Sequence, residues 1–215
     1  MRERTDVTNR KLGLTTLRFS DTARRDAAFA ALTLALLIAV TVAFPGFAAP
    51  GNLAEVLNDT SILILLAIGQ MLVIVTRGID LSVAANLALS GMIVALFNRS
   101  FPEYGLLPIV GIALLSGTLL GACNGLLVWK LRLPPIVVTL GTMSIYRGVI
   151  YLLSQGAWVN ENEMSRGFLR YVRTEFLGLT SLSWLVVFVA GAAIVWLRYT
   201  KAGRDLYAAG GNPTA

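Results

Sequence analysis

The side chains that could do chemistry in this sequence are mostly neutral, and they recur at helical spacing. Ser82, Asn86 and Ser90 lie four residues apart behind Asp80, and Gln70 precedes them. Thr139, Thr142 and Tyr146 share one side of a later segment. Hydroxyls and amides both donate and accept hydrogen bonds. A polar route for a polyhydroxylated solute needs such groups. The same residues also suit packing, with Asp80 as a helix N-cap and the hydroxyls bonding back to their own helix. Both readings stand open for this set. Arg147 is the sharper signal, because a guanidinium inside an apolar stretch needs a partner, water or an interface.

Bond-making chemistry is harder to assemble. The chain has no histidine, which removes the commonest metal ligand and general base. Paired carboxylates and a nucleophile-base pair are not evident, and the Thr and Tyr hydroxyls lack a base. No catalytic residue and no metal site are therefore expected. Lys11, Lys130 and Lys201 all sit outside any G-x-x-x-x-G-K-[ST] phosphate loop, so ATP is not bound by that route. The single cysteine, Cys123, excludes an intrachain disulfide.

The elements that must carry these groups are six apolar stretches, over 27–47, 60–76, 81–97, 106–129, 133–154 and 177–197. A helix rises about 1.5 Å per residue, so roughly 20 apolar residues cross a hydrocarbon layer about 30 Å thick. With 56% hydrophobic and 14% charged residues, the expected fold is an all-α polytopic transmembrane bundle with about six spans. The lipid bilayer is thus the first expected partner. The net charge of +6 falls between the spans, so orientation explains it better than nucleic acid does. With the N-terminus cytoplasmic, the inner segments hold Arg2, Arg4, Arg10, Lys11, Arg18, Arg24, Arg25, Arg77, Lys130, Arg132, Arg198, Lys201 and Arg204. The outer segments hold only Arg99, Arg166, Arg170 and Arg173. The positive-inside rule then places both ends in the cytoplasm. The first stretch is too long for an ordinary signal-peptide core and reads as a retained span.

The expected organisation is a cytoplasmic tail over 1–26, a transmembrane region over 27–197 and a cytoplasmic segment over 198–215. Outer loops are expected at 48–59, 98–105 and 155–176. Ala113, Gly117, Gly121 and Gly125 repeat every four residues, a small-residue ridge for close helix packing. Gly141, Ser144 and Gly148 suit packing on the fifth span.

Three motifs carry a family resemblance. Gly78-Ile79-Asp80-Leu81-Ser82-Val83, Pro135-Ile136-Val137-Val138-Thr139-Leu140-Gly141-Thr142 and Gly203-Arg204-Asp205-Leu206-Tyr207-Ala208-Ala209-Gly210-Gly211-Asn212-Pro213 resemble those of carbohydrate ABC transporter permeases. The likeness is to the ribose, autoinducer-2 and rhamnose import type and runs over 27–215. It implies a bacterial inner-membrane permease subunit in a sugar importer. The implied partners are a cytoplasmic ABC ATPase that holds the ATP, a periplasmic sugar-binding protein and a second permease subunit. Gly203, Arg204, Tyr207, Gly210, Gly211 and Asn212 would dock on the ATPase, with the glycines permitting tight turns. Ala84 stands where the family usually has glycine. Family members also continue through further spans, so these 215 residues alone are expected not to transport. An ion-coupled secondary transporter and a non-transporting truncated scaffold are the rival readings. Proton coupling is disfavoured, because Asp80 is the sole acidic group near a span.

Overall fold

The computed structural model describes residues 21–211. Its helices are α1 (Asp21–Ala43), α2 (Pro50–Val75), α3 (Val83–Ser100), α4 (Leu106–Leu131), α5 (Pro135–Ser154), α6 (Arg166–Val172), α7 (Ser181–Tyr199) and α8 (Lys201–Gly211). A two-stranded hairpin, β1 (Glu175–Phe176) and β2 (Leu179–Thr180), precedes α7. Six helices are long and apolar enough to cross a membrane: α2, α3, α4, α5, α7 and the stretch Arg24–Ala43 of α1. The protein is an all-α, multi-pass membrane protein.

Two compact units divide at residue 52. In the first, the hydroxyls of Thr33 and Thr41 donate to the carbonyls of Phe29 and Leu37 one turn back, at 2.9 and 2.8 Å. Such bonds satisfy hydroxyls within one helix, which suits a helix meant for lipid. A turn follows, closed by the Asn52 amide on the Phe47 carbonyl at 2.8 Å.

The second unit is built on α3. Its buried residues Ala85, Leu89, Ser90, Met92, Val94 and Asn98 face its neighbours, and α3, α4 and α5 all pack on one another. Ala85, Leu89 and Tyr146 form the core, covered by Ile93, Leu120, Met143, Val149 and Ile150. At the far end of α3, Asn98 is fully buried and clamps the start of α6. Its amide donates to Ser165 Oγ at 2.9 Å, and its oxygen accepts the Ser165 N–H at 2.7 Å.

Three sequence boundaries need correction. Residues 50–59 are helix rather than loop: α2 begins at Pro50, where a missing N–H costs least. Asn58 then anchors that turn to the α7 start, accepting from the Thr180 N–H at 3.0 Å and the Ser183 hydroxyl at 2.5 Å. The 155–176 segment is ordered by local chemistry. Asn160 and Glu163 form a capping box around a 3-10 turn, and Leu177 and Gly178 take positive φ (53° and 78°) to turn the hairpin. Residues 201–211 form a helix rather than glycine turns. Gly203 and Gly210 lie on one buried face of α8. A Cβ on Gly203 would collide with the backbone of Trp196 and Leu197, and one on Gly210 with the Val75 carbonyl.

The end of α2 explains that close approach. Arg77 takes φ 60°, its N–H bonds the Ile74 carbonyl at 2.9 Å, and the Gly78 N–H bonds the Val73 carbonyl at 3.0 Å. This is a Schellman cap, with arginine where glycine is usual. The Arg77 guanidinium reaches the Gly211 carbonyl at 3.2 Å, so the strained residue also ties α8 to α2.

Gly210→Ala should lower the thermal midpoint of the purified protein, at a cost of about 1–3 kcal/mol, because backbone must move. Gly211→Ala, which meets open space, should not. Equal midpoints for the two variants would contradict the α2–α8 contact. A second expectation concerns pH. The Glu163 carboxyl lies below its ordinary value, first because it accepts the Asn160 N–H and also because Arg99 donates to it. A depressed folded pKa gives stability that is present above the unfolded value of 4.5 and lost as pH falls through the folded one. Protection of the 160–164 amides, relative to their intrinsic exchange rate at each pH, should therefore fall below that range, and Glu163→Gln should remove this pH dependence.

Candidate functional site

The segment between α2 and α3 concentrates the polar chemistry. Ser82, not Asp80, stands at the N-terminal boundary of α3, and its side chain makes no capping bond to the helix. Asp80 instead folds an Asx turn: its Oδ1 accepts both the N–H and the hydroxyl of Ser82, each at 2.7 Å. The Asn124 amide donates to Ser82 Oγ at 2.7 Å, so a relay runs from α4 through Ser82 to Asp80. The Tyr146 hydroxyl donates to the Leu120 carbonyl at 2.8 Å and lies 3.4 Å from Asn124 Oδ1. Thr139 closes the arrangement from α5, its Oγ1 accepting the Leu81 N–H at 3.1 Å and donating to the Ile79 carbonyl at 3.3 Å.

Asp80, Ser82, Thr139 and Tyr146 therefore meet around one segment, with Thr142 beside them donating to the Thr139 carbonyl at 3.3 Å. Ser82, Asn124, Thr139, Thr142 and Tyr146 are all buried. Their polar groups are largely used on one another and on backbone. Asn86 sits one turn along, donating to the Gly117 carbonyl at 3.3 Å and accepting from Ser90 at 3.2 Å. Gln70 stands outside this network, and its Oε1 is the one buried side-chain atom without a hydrogen bond among the described residues. Asn124 went unread in the sequence. A lone asparagine in an otherwise apolar helix makes no periodic pattern, and only its neighbours reveal its use.

The small residues divide. Gly117 and Gly121 face Asn86 and Ser90 of α3, where an added Cβ would make ordinary contact at 3.7–3.9 Å. Gly125, Gly141 and Gly148 meet nothing within 4 Å. On the Gly141–Ser144–Gly148 face of α5, a Cβ added at either glycine would meet open space among the described residues. Arg147 lies on the same exposed side.

On α8, Gly203 and Gly210 point inward while Arg204, Asp205 and Tyr207 are exposed. Tyr207 edges an apolar groove of about 480 Å³ that Ile68 and Met71 of α2 share with Ala190, Ala193 and Ile194 of α7. Asn212 lies outside the described residues.

The class defined so far is a helical membrane protein with a polar knot at a helix break and a short helix, α8, seated on its neighbours by glycines. The family model described as branched-chain amino acid transport system / permease component matches residues 52–215, and the chain belongs to that family. It is 39% identical over 182 residues to the autoinducer 2 import system permease protein of Klebsiella pneumoniae, covering 85% of this chain and 52% of that protein. It is 37% identical over 186 residues to the ribose import permease protein of Escherichia coli K12, covering 85% and 57%. The chain thus spans about half the length of the curated relatives it matches. No solved structure matches it.

Ser82→Ala should orphan the Asn124 amide and remove one of the two hydrogen bonds to Asp80 Oδ1, costing about 1–2 kcal/mol of stability in detergent. Ser144→Ala on the open face of α5 should cost far less, since its hydroxyl only bonds back to Leu140. Calorimetry of both variants checks the difference, and equal midpoints would deny the network its role.

Proposed function

We propose that this chain is a membrane-spanning permease subunit of an ATP-driven, binding-protein-dependent carbohydrate importer in the bacterial inner membrane. The reading rests on family membership and on relatives named as import permeases for ribose and autoinducer 2. The N-terminus and α8 lie in the cytoplasm, as the distribution of Lys and Arg favours. A cytoplasmic ABC ATPase binds and hydrolyses ATP, which accords with a sequence lacking a phosphate loop. A periplasmic sugar-binding protein delivers solute, and a second permease subunit completes the passage.

The observation that carries the coupling role is the mounting of α8. Gly203 seats it against the end of α7, and Gly210 seats it against the end of α2. Arg77 ties its last carbonyl. Arg204, Asp205 and Tyr207 are left for a partner. An ATPase that pulls on this face moves two membrane helices through backbone contacts, which yield little. Arg204 offers a fork of donors for an acidic group, and Tyr207 a ring for a groove. The Asp80–Ser82–Asn124–Tyr146–Thr139 cluster, with Thr142 and Asn86, holds α3, α4 and α5 in register beside the route.

Arg204→Glu with Tyr207→Ala should cut co-purification of the ATPase subunit at least about tenfold, the scale of losing a central anchor. The thermal midpoint should be unchanged. Sugar uptake should fall in step when the two substitutions are carried in a full-length permease supplied with every other subunit. Uptake that persists without the ATPase and follows an ion gradient would replace this reading with secondary transport.

A further inference from the structure

The cluster drawn to notice by the sequence has spent its hydrogen bonds internally. Besides Gln70, a charged group without a partner among the described residues lies on the outer half of α5. Arg147 is exposed on α5 and has no hydrogen bond or ion pair among the described residues. It lies seven residues before the end of α5 at Ser154, about 10 Å below that end. Helical side chains lean toward the N-terminus of their helix, so this one leans away from the nearer interface and is badly placed to snorkel there. Hydrocarbon contact would leave five N–H donors unsatisfied.

Arg147 instead opens into two adjoining hollows. One, of about 260 Å³, runs along α5 past Tyr151 and Ser154 to Trp158. The other, of about 440 Å³, lies between α3 and α5, with Ala88, Gly91 and Ala95 as its floor and Trp158 at its edge. Small α3 residues make the room there. Trp158 is 79% exposed and Tyr151 68% exposed, so two aromatic rings stand free beside the guanidinium.

We propose that this Arg147–Trp158 cleft is a water-filled solute-contact site, where a neutral polyhydroxylated solute is held on its way through the membrane. The proposal rests on the permease reading above and names where that permease touches its cargo. The chemistry fits the class. The guanidinium donates to hydroxyl oxygens without needing a charged ligand, and an indole face stacks on the apolar C–H side of a sugar ring. The combined hollow falls in the range of small-molecule sites. A lipid tail would bury the cation unpaired, and an anionic headgroup would have to sink about 10 Å below the helix end.

Two measurements on the importer assembled with a full-length version of this permease, which is the parent below, test this. In a Cys123→Ser background, Ala88→Cys should react with a membrane-impermeant sulfonated maleimide. Leu115→Cys, on an apolar face of α4, should not. The transported sugar, chosen as the best taken up from a panel of labelled pentoses and hexoses, should slow the Ala88→Cys reaction. Arg147→Gln should raise KM for that sugar about tenfold, as expected for losing charge-assisted bonds. Trp158→Ala should raise it as well, and ATPase co-purification should stay normal for both. Failure of Ala88→Cys to label means that lipid or a neighbouring chain fills the cleft, and it overturns the site. So do wild-type KM values in both variants, and in either case uptake by the parent leaves the permease reading standing. If the parent takes up no sugar at all, that reading falls and the cleft assignment falls with it.

Discussion

A hydrogen-bonding group inside hydrocarbon must find its partner within the protein, and this constraint is tightest where α2 gives way to α3. Helix α2 stops at Val75 and α3 starts at Val83, so the intervening backbone loses its helical bonds. The protein repairs the break from three sides. Asp80 turns back on Ser82, Asn124 reaches across from α4, and Thr139 takes both a donor and an acceptor from α5. Ser82 is wholly buried and sits where these lines cross. Remove the repair and the seat of α3 against α4 and α5 is lost.

The same end of α2 serves a second purpose. Its Schellman cap puts Arg77 into a left-handed conformation, and that residue reaches α8. Gly210 lies against the Val75 carbonyl, one residue before the cap begins to turn. The polar knot and the seat of α8 are thus a few residues apart on one strand of backbone. A displacement of α8 meets the knot with little side-chain compliance between them. Backbone contacts of this kind move as bodies because packed interiors resist gradual deformation.

Much of this was readable in the residues. The six spans follow from apolar length alone, and each appears as a helix. The motif around Asp80 and the one around Thr139 marked two of the three sides of the knot. What escaped was of two kinds. Asn124 and Asn98 are single amides in apolar helices, and periodicity is blind to one residue. The second kind is where the small residues face: a Cβ added at Gly117 or Gly121 would touch α3, while one at Gly141 or Gly148 would meet open space, and spacing alone does not separate the two pairs. Residues 50–59 looked like loop because they are polar, but their helix is paid for by Asn58 on the start of α7, a contact 122 residues distant.

The sequence by itself determined that these 215 residues hold six stretches long and apolar enough to cross a membrane, and that they contain neither a histidine nor a phosphate loop. Those properties depend on length, composition and the presence of residue types, which need no neighbours. The tertiary structure decided which polar groups are spent and which are free. Asp80, Ser82, Thr139 and Tyr146 satisfy one another or nearby backbone, while Arg147, equally conspicuous in the sequence, is left open beside Trp158. A hydrogen bond is a relation between two groups, and only the fold sets which pairs lie within 3 Å.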